Sequence, residues 1–218
     1  MTGRVSGRAA GSQEERVAGG FRFRGMTKRS VAGWVTYLLE PKNWIIVTVL
    51  GVGWRYGGAS GLGWGALAAF FAAVLPTLFI NRGVRAGRWA DRNVGARGPR
   101  LVVLGFILAS VAAGLAVLAA GGAPHQLTWY FACMLGSVLM LAVITTAWKI
   151  SIHCAVASGS VTILTLLFGP WLVPAYLLVA LTGWSRVALK DHSAAQVIAG
   201  SALGAVAAVI TYALIPHQ

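Results

Sequence analysis

The sequence predicts an all-α fold, a polytopic membrane helix bundle of six to seven spans, and three observations carry that prediction. Charge is scarce: 18 Lys and Arg and five Asp and Glu stand in 218 residues, where a soluble domain has roughly a quarter charged residues. Apolar residues dominate, at 57% of the chain, with a mean hydropathy of +0.74. The apolar residues also come in long runs separated by short polar breaks, as bilayer-crossing helices do.

The runs follow in order. Residues 1–30 hold seven Lys and Arg, with Gly and Ser and little apolar content, the composition of a disordered basic tail; residues 31–218 form the helical domain. The first apolar run starts near Trp44, behind this polar leader, so no secretory signal peptide is expected. Trp44 to Arg55 is a short first span, and the Gly-rich "RYGGASG" (Arg55 to Gly61) is a turn. Leu62 to Ile80 is the second span, unless the first two runs are one broken span. Asn81 to Arg100 is a polar, basic loop. Leu101 to Ala120 and Leu127 to Trp148 are the third and fourth spans, joined by "GGAPHQ". Ala155 to Phe168 and Trp171 to Trp184, divided at Gly169–Pro170, are short for a core about 30 Å thick. Ala194 to Ile215 is the seventh.

With seven spans, 17 of the 18 basic residues fall on one face and only Arg55 on the other. The positive-inside rule places that face, the N-terminus included, in the cytoplasm of a cell-membrane protein. All five acidic residues share the face, as do His153 and His192, while His125 and His217 lie opposite. Basic loops are first of all topology signals, which accounts for Arg82, Arg85 and Arg88. It does not account for two histidines at span ends, each with basic neighbours.

Three polar segments therefore meet at one face. One offers Arg92, Arg97 and Arg100; the next Lys149, Ser151 and His153; the last Ser185, Arg186, His192 and Gln196. Guanidinium groups grip phosphate oxygens in pairs. One imidazole can attack phosphorus and the other can protonate the leaving oxygen. Asp191 is positioned to cap the last helix, with His192 in its first turn, where the helix N-terminus favours an anion. Gln196 lies one turn beyond His192. The nine Trp, mostly near span ends, fit interfacial belts. Cys133 and Cys154 do not form a disulfide framework.

"SRVALKDH" (Ser185 to His192) has the form Ser-Arg-x5-His. It resembles the third motif of the type-2 phosphatidic acid phosphatase superfamily, which spans lipid phosphate phosphatases and vanadium haloperoxidases. "SIH" (Ser151 to His153) is similar to the family's second motif, Ser-Gly-His, and "DRNVGARGPR" (Asp91 to Arg100) approximates the first, Lys-x6-Arg-Pro. The resemblance covers about residues 62 to 215. It implies His192 as the nucleophile that forms a phosphohistidine and His153 as the acid that protonates the leaving alcohol. It implies Arg186, Ser185 and Ser151 as phosphate ligands with Lys149, and Arg92 with Arg97 or Arg100 in place of the first motif's cations. Gln196 stands where the family has the Asp that orients the nucleophile, and Ile150 and Ile152 replace a Pro and a Gly.

The expected function is a membrane phosphatase acting on a lipid or isoprenyl (di)phosphate from the cytoplasmic side. Its partners are that substrate and the membrane lipids, not nucleic acid. No cofactor or metal is expected, because two histidines without a carboxylate cluster do not make a metal site. The alternatives are a prenyl diphosphate cyclase or transferase, which normally needs carboxylates for magnesium, and a transporter or non-catalytic lipid-phosphate binder, whose charges should line a path through the spans.

Overall fold

The computed structural model describes residues 27–89 and 97–216. Among these residues the secondary structure is entirely helical: α1 (Lys28–Leu38), α2 (Pro41–Ala69), a π-helical turn (Phe70–Val74) leading into α3 (Leu75–Arg85), α4 (Arg97–Gly121), α5 (His125–Ala147), α6 (Ile152–Phe168), a 3-10 turn (Pro170–Ala175) leading into α7 (Tyr176–Ala188), and α8 (Ala194–Leu214). The expected tail lies outside the described residues up to position 26, and its last residues, from Lys28, already belong to α1.

Among the described residues five helical segments are long and apolar enough to cross a membrane: 28–85, 98–121, 125–147, 170–188 and 194–214. The sixth, α6, has 17 residues and is about 25 Å long at 1.5 Å per residue. The first segment is not straight. At Gly58 the backbone takes φ 56°, ψ −137°, a conformation open to glycine and hostile to residues with a Cβ. Beyond it the chain folds back, so a Cβ on Gly65 would lie 2.8 Å from the Val49 carbonyl oxygen and one on Gly53 would collide with the carbonyl of Gly61. Sixteen residues of unbroken helix would hold Val49 and Gly65 about 24 Å apart. The predicted turn at "RYGGASG" is thus a reversal inside α2.

Successive helices run up and down the bundle. The α2 reversal meets the α4–α5 turn at the far end, where a Cβ on Gly57 would lie 2.9 Å from the Pro124 ring. The starts of α2, α4, α6 and α8 and the ends of α3, α5 and α7 gather at the other end. Helices in lipid gain no hydrophobic stabilisation from packing together, so close van der Waals contact and small residues must hold them. Between α6 and α8 a Cβ on Gly200 would lie 2.5 Å from the Ser151 carbonyl oxygen, and one on Gly204 would collide with the carbonyl of Ala155. These two glycines bring the start of α8 against the start of α6, which is what draws the second and third motifs together.

Several boundaries differ from the sequence reading. The basic loop after Ile80 is helical through Arg85, and α4 starts at Arg97, before its apolar run. α1 was not anticipated. Its buried positions are Ala32 and Thr36, while Trp34, Tyr37 and Leu38 are exposed, the two-faced character of a helix that lies at an interface.

Candidate active site

Residues 148–151 form a short non-helical link between α5 and α6, tightened by the Ile150 N–H donating to the Trp148 carbonyl at 2.9 Å. Ser151 then caps α6, its Oγ accepting from the Cys154 N–H at 3.5 Å, and its own N–H donates to the Gln196 carbonyl at 3.3 Å. A helix start presents N–H groups ahead of the hydrogen-bonded ladder, and here those of Ile152 and His153 belong to residues on the wall of a cavity.

α7 ends in a Schellman motif. Asp191 N–H donates to the Arg186 carbonyl and Lys190 N–H to the Val187 carbonyl, each at 3.0 Å, with Lys190 left-handed at φ 61°. The motif turns the chain back over its own last turn. Asp191 Oδ2 consequently sits 2.7 Å from Arg186 Nη2, and the His192 N–H also reaches the Arg186 carbonyl, at 3.3 Å. The expected cap is corrected here. Asp191 is committed to Arg186, and Ser193 caps α8, which places His192 one residue before the cap and outside the first turn.

Ser193 and Gln196 form a reciprocal capping box, in which the Ser193 N–H donates to Gln196 Oε1 at 3.1 Å and the Gln196 N–H to Ser193 Oγ at 3.3 Å. The same Oε1 lies 3.2 Å from His192 Nδ1. A backbone N–H can bond only to the oxygen of the amide, so the capping box settles which end of Gln196 faces the ring. An oxygen can only accept, so Nδ1 carries the proton and Nε2 carries the lone pair. Burial, and then the Arg186 guanidinium, lower the His192 pKa to about 4, so the ring is neutral at pH 7.

His192, His153, Arg186, Arg100 and Lys149 all line one cavity of about 180 Å³. Arg100 and Arg186 are buried, at 6% and 2% exposure. Arg100 Nη2 donates to the Ile150 carbonyl at 2.5 Å, tying α4 to the second motif. Among the described residues Arg100 stands for the first motif's arginine at the cavity. Arg97 opens α4, but its side chain lies outside the described residues, as does Arg92. Ser151 and Ser185 do not line the cavity. Both are fully buried behind it, and Ser185 Oγ accepts from Thr36 Oγ1 at 3.0 Å while donating to the Thr182 carbonyl at 2.7 Å.

Two charged groups went unassigned in the sequence. Glu40 and Lys42, paired with each other where α2 starts, line the same cavity. The signal was present in "EPKNW", since Pro41 at the first helical position marks a helix start and places both charges at that helix end. Thr36 carried no signal, because its partner is 149 residues away.

The cavity's upper wall is therefore cationic, with its two carboxylates each held by a cation, and its lower wall, from Ile45, Ala72, Val103 and Ile107, is apolar. This arrangement suits a phosphate carried on an apolar body. No curated protein and no solved structure matches the chain. The family model of the PAP2 superfamily matches residues 145–218, a segment that contains His153, Arg186, His192 and Gln196 and leaves Arg100 and Lys42 outside it. The match spans about a third of the chain, and it is consistent with the resemblance of the Ser-Arg-x5-His motif to the type-2 phosphatidic acid phosphatase superfamily.

Proposed function

We propose that the protein hydrolyses a lipid or isoprenyl phosphate through a phosphohistidine at His192. The observation that carries the reading is the single oxygen of Gln196, which takes both the Ser193 N–H and the His192 Nδ1–H and so leaves the opposite ring nitrogen as the nucleophile. Nε2 attacks phosphorus, the phosphorus–oxygen bond to the lipid breaks, and His153 gives the leaving oxygen its proton. Water then attacks the phosphohistidine, gives a proton to His153 and releases inorganic phosphate. Arg100, Arg186 and Lys149 stabilise the charge on the phosphoryl oxygens through both steps. Gln196 orients the ring but, being neutral, offsets less of the imidazolium's charge than a carboxylate would.

In this reading α2 contributes two spans on either side of Gly58, giving seven in all. The cationic end faces the cytoplasm, with α1 lying along that interface, Trp34 and Tyr37 outward. A cysteine at the exposed Ala86, at the end of α3, should resist an impermeant thiol reagent added to intact cells; its labelling would reverse the orientation.

The function is tested by phosphate release from purified protein offered phosphatidate, phosphatidylglycerol phosphate and farnesyl to undecaprenyl phosphates. Wild type should release phosphate, His192→Ala should not, and EDTA should leave the rate unchanged. Activity lost to EDTA and restored by magnesium would instead favour a prenyl diphosphate cyclase or transferase.

A further inference from the structure

A second cavity, of about 120 Å³, lies deeper in the bundle between α4, α5, α6 and α8. The hydrolytic steps make no use of it. Ile45, Ala72 and Ile107 line both cavities, so only one layer of side chains stands between them. Along α4 the order is Arg100 at the cationic wall, Ile107 at the junction and Val111 in the second cavity. At 1.5 Å per residue, Val111 is about 16 Å below Arg100.

The walls of this cavity are apolar in effect. Met134 and Val138 come from α5, Gly159 from α6 and Ala207 from α8. Of its four hydroxyl-bearing residues, Tyr130, Ser137, Ser160 and Thr211, two turn back onto their own helices: Thr211 Oγ1 donates to the Ala207 carbonyl at 2.7 Å and Ser137 Oγ to the Cys133 carbonyl at 3.0 Å. Close-packed interiors leave few voids of this size, and an apolar void takes hydrocarbon rather than water. A cavity of roughly 150 Å³ holds one benzene, so this one has room for a segment of one chain and not for two side by side. Met140, on its wall, is 37% exposed, which gives the rest of a longer chain a way out towards the bilayer.

We infer that the second cavity receives the apolar chain of the molecule whose phosphate sits at His192, and that it admits a single chain. The substrate class is then a single-chain lipid phosphate, isoprenyl in type, rather than a two-chain diacyl phosphate. This inference rests on the proposed function for the phosphate end alone.

The test uses full-length protein in bilayer nanodiscs, with isopentenyl phosphate, farnesyl phosphate and dioleoyl phosphatidate, read both as phosphate release and as equilibrium binding. Val138→Trp on α5 and Ala207→Phe on α8 fill the cavity from two sides. Farnesyl phosphate should exceed phosphatidate in binding by about tenfold or more, and each filled variant should lose about tenfold for farnesyl phosphate while leaving isopentenyl phosphate unchanged. Equal or better binding of phosphatidate overturns the inference. So does farnesyl phosphate binding that both variants leave intact, or a loss of isopentenyl phosphate in both. Absence of phosphate release from every substrate would count against the hydrolase, while the binding measurements would still decide the chain.

Discussion

The two halves of the candidate site are built in different ways. The half from α6 to α8 consists of two local motifs, which Gly200 and Gly204 bring together. Ser151 and His153 are two residues apart, Arg186 and His192 six, and the turn that joins Arg186, Asp191 and His192 is held by backbone hydrogen bonds within those same residues. The half from α1 to α4 is assembled across the fold. Arg100 reaches the site by bonding a carbonyl 50 residues away, and Lys42 and Glu40 arrive from the start of α2. A nucleophile and its orienting partner must be placed to a fraction of an ångström, which short chain segments do well. A cation stabilises phosphate oxygens from many positions at similar distance, so the half that supplies it can change its sequence and keep its role. The family match covers the local half and not the assembled one.

Variants should separate the halves by the size of their effects. His192→Ala should remove turnover, by at least about a thousandfold, since loss of a nucleophile leaves only binding and charge stabilisation; phosphate release measures it. Arg100→Ala should cost about a hundredfold or more in kcat, the scale of a lost donor to the transition state. Lys149→Ala, at a partly exposed cation, should cost less. Arg97→Ala should be nearly silent if Arg100 is the working arginine. Equal losses at Arg97 and Arg100 would break the comparison.

Gln196→Ala should cost about tenfold to a hundredfold, as outer-shell partners of a working histidine do. Gln196→Asp should retain or raise activity where the shorter side chain still reaches Nδ1. The pH profile sharpens this arm. Because the His192 pKa is lowered to about 4 by burial and by Arg186, its neutral form persists well below the ordinary imidazole value of about 6.5. The acid limb of kcat/KM belonging to this group should fall near pH 4. The same shift means that its contribution to stability, complete above about pH 6.5, is lost as pH drops towards 4. An acid limb near 6.5 would contradict the partly buried position of the ring beside Arg186.

The smallest expected effect concerns two helix ends. α3 closes with the same pair of bonds as α7, Arg88 N–H to the Gly83 carbonyl and Gly87 N–H to the Val84 carbonyl, but with Gly87 in the left-handed position at φ 68°. α7 puts Lys190 there. A residue with a Cβ in that conformation costs about 1 kcal/mol, so Lys190→Gly should stabilise the protein by about that amount, measurable in thermal unfolding, with little change in turnover.

How far the sequence disclosed this molecule follows the same division. The apolar runs marked the helices from α2 onward, because hydropathy is a local property, and Gly58 and Gly169 marked two breaks through residues that only glycine suits. Ser151 with His153, and Arg186 with His192 and Gln196, were legible as two short motifs, while their meeting depends on the α6–α8 contacts at Gly200 and Gly204. The cap of α8 was misread: Asp191 and Ser193 are both good caps, and only the fold reveals that Arg186 claims the aspartate. α1 was missed because a short helix next to a basic leader, with charged and polar residues among its apolar ones, has little hydropathy. Ser151 and Ser185 were read as ligands and are buried behind the cavity, a distinction that depends on contacts with Gly200 and Thr36 from other helices.

The most direct test of the account is to trap the covalent intermediate. Wild-type protein quenched in alkali during turnover of a phosphorus-labelled lipid phosphate should carry an acid-labile, base-stable label on His192, bonded to Nε2. That position follows from the proton fixed on Nδ1 by Gln196, and His153→Ala should slow its formation without moving it. Label on Nδ1 of His192, on another residue, or on none while turnover proceeds would contradict the account.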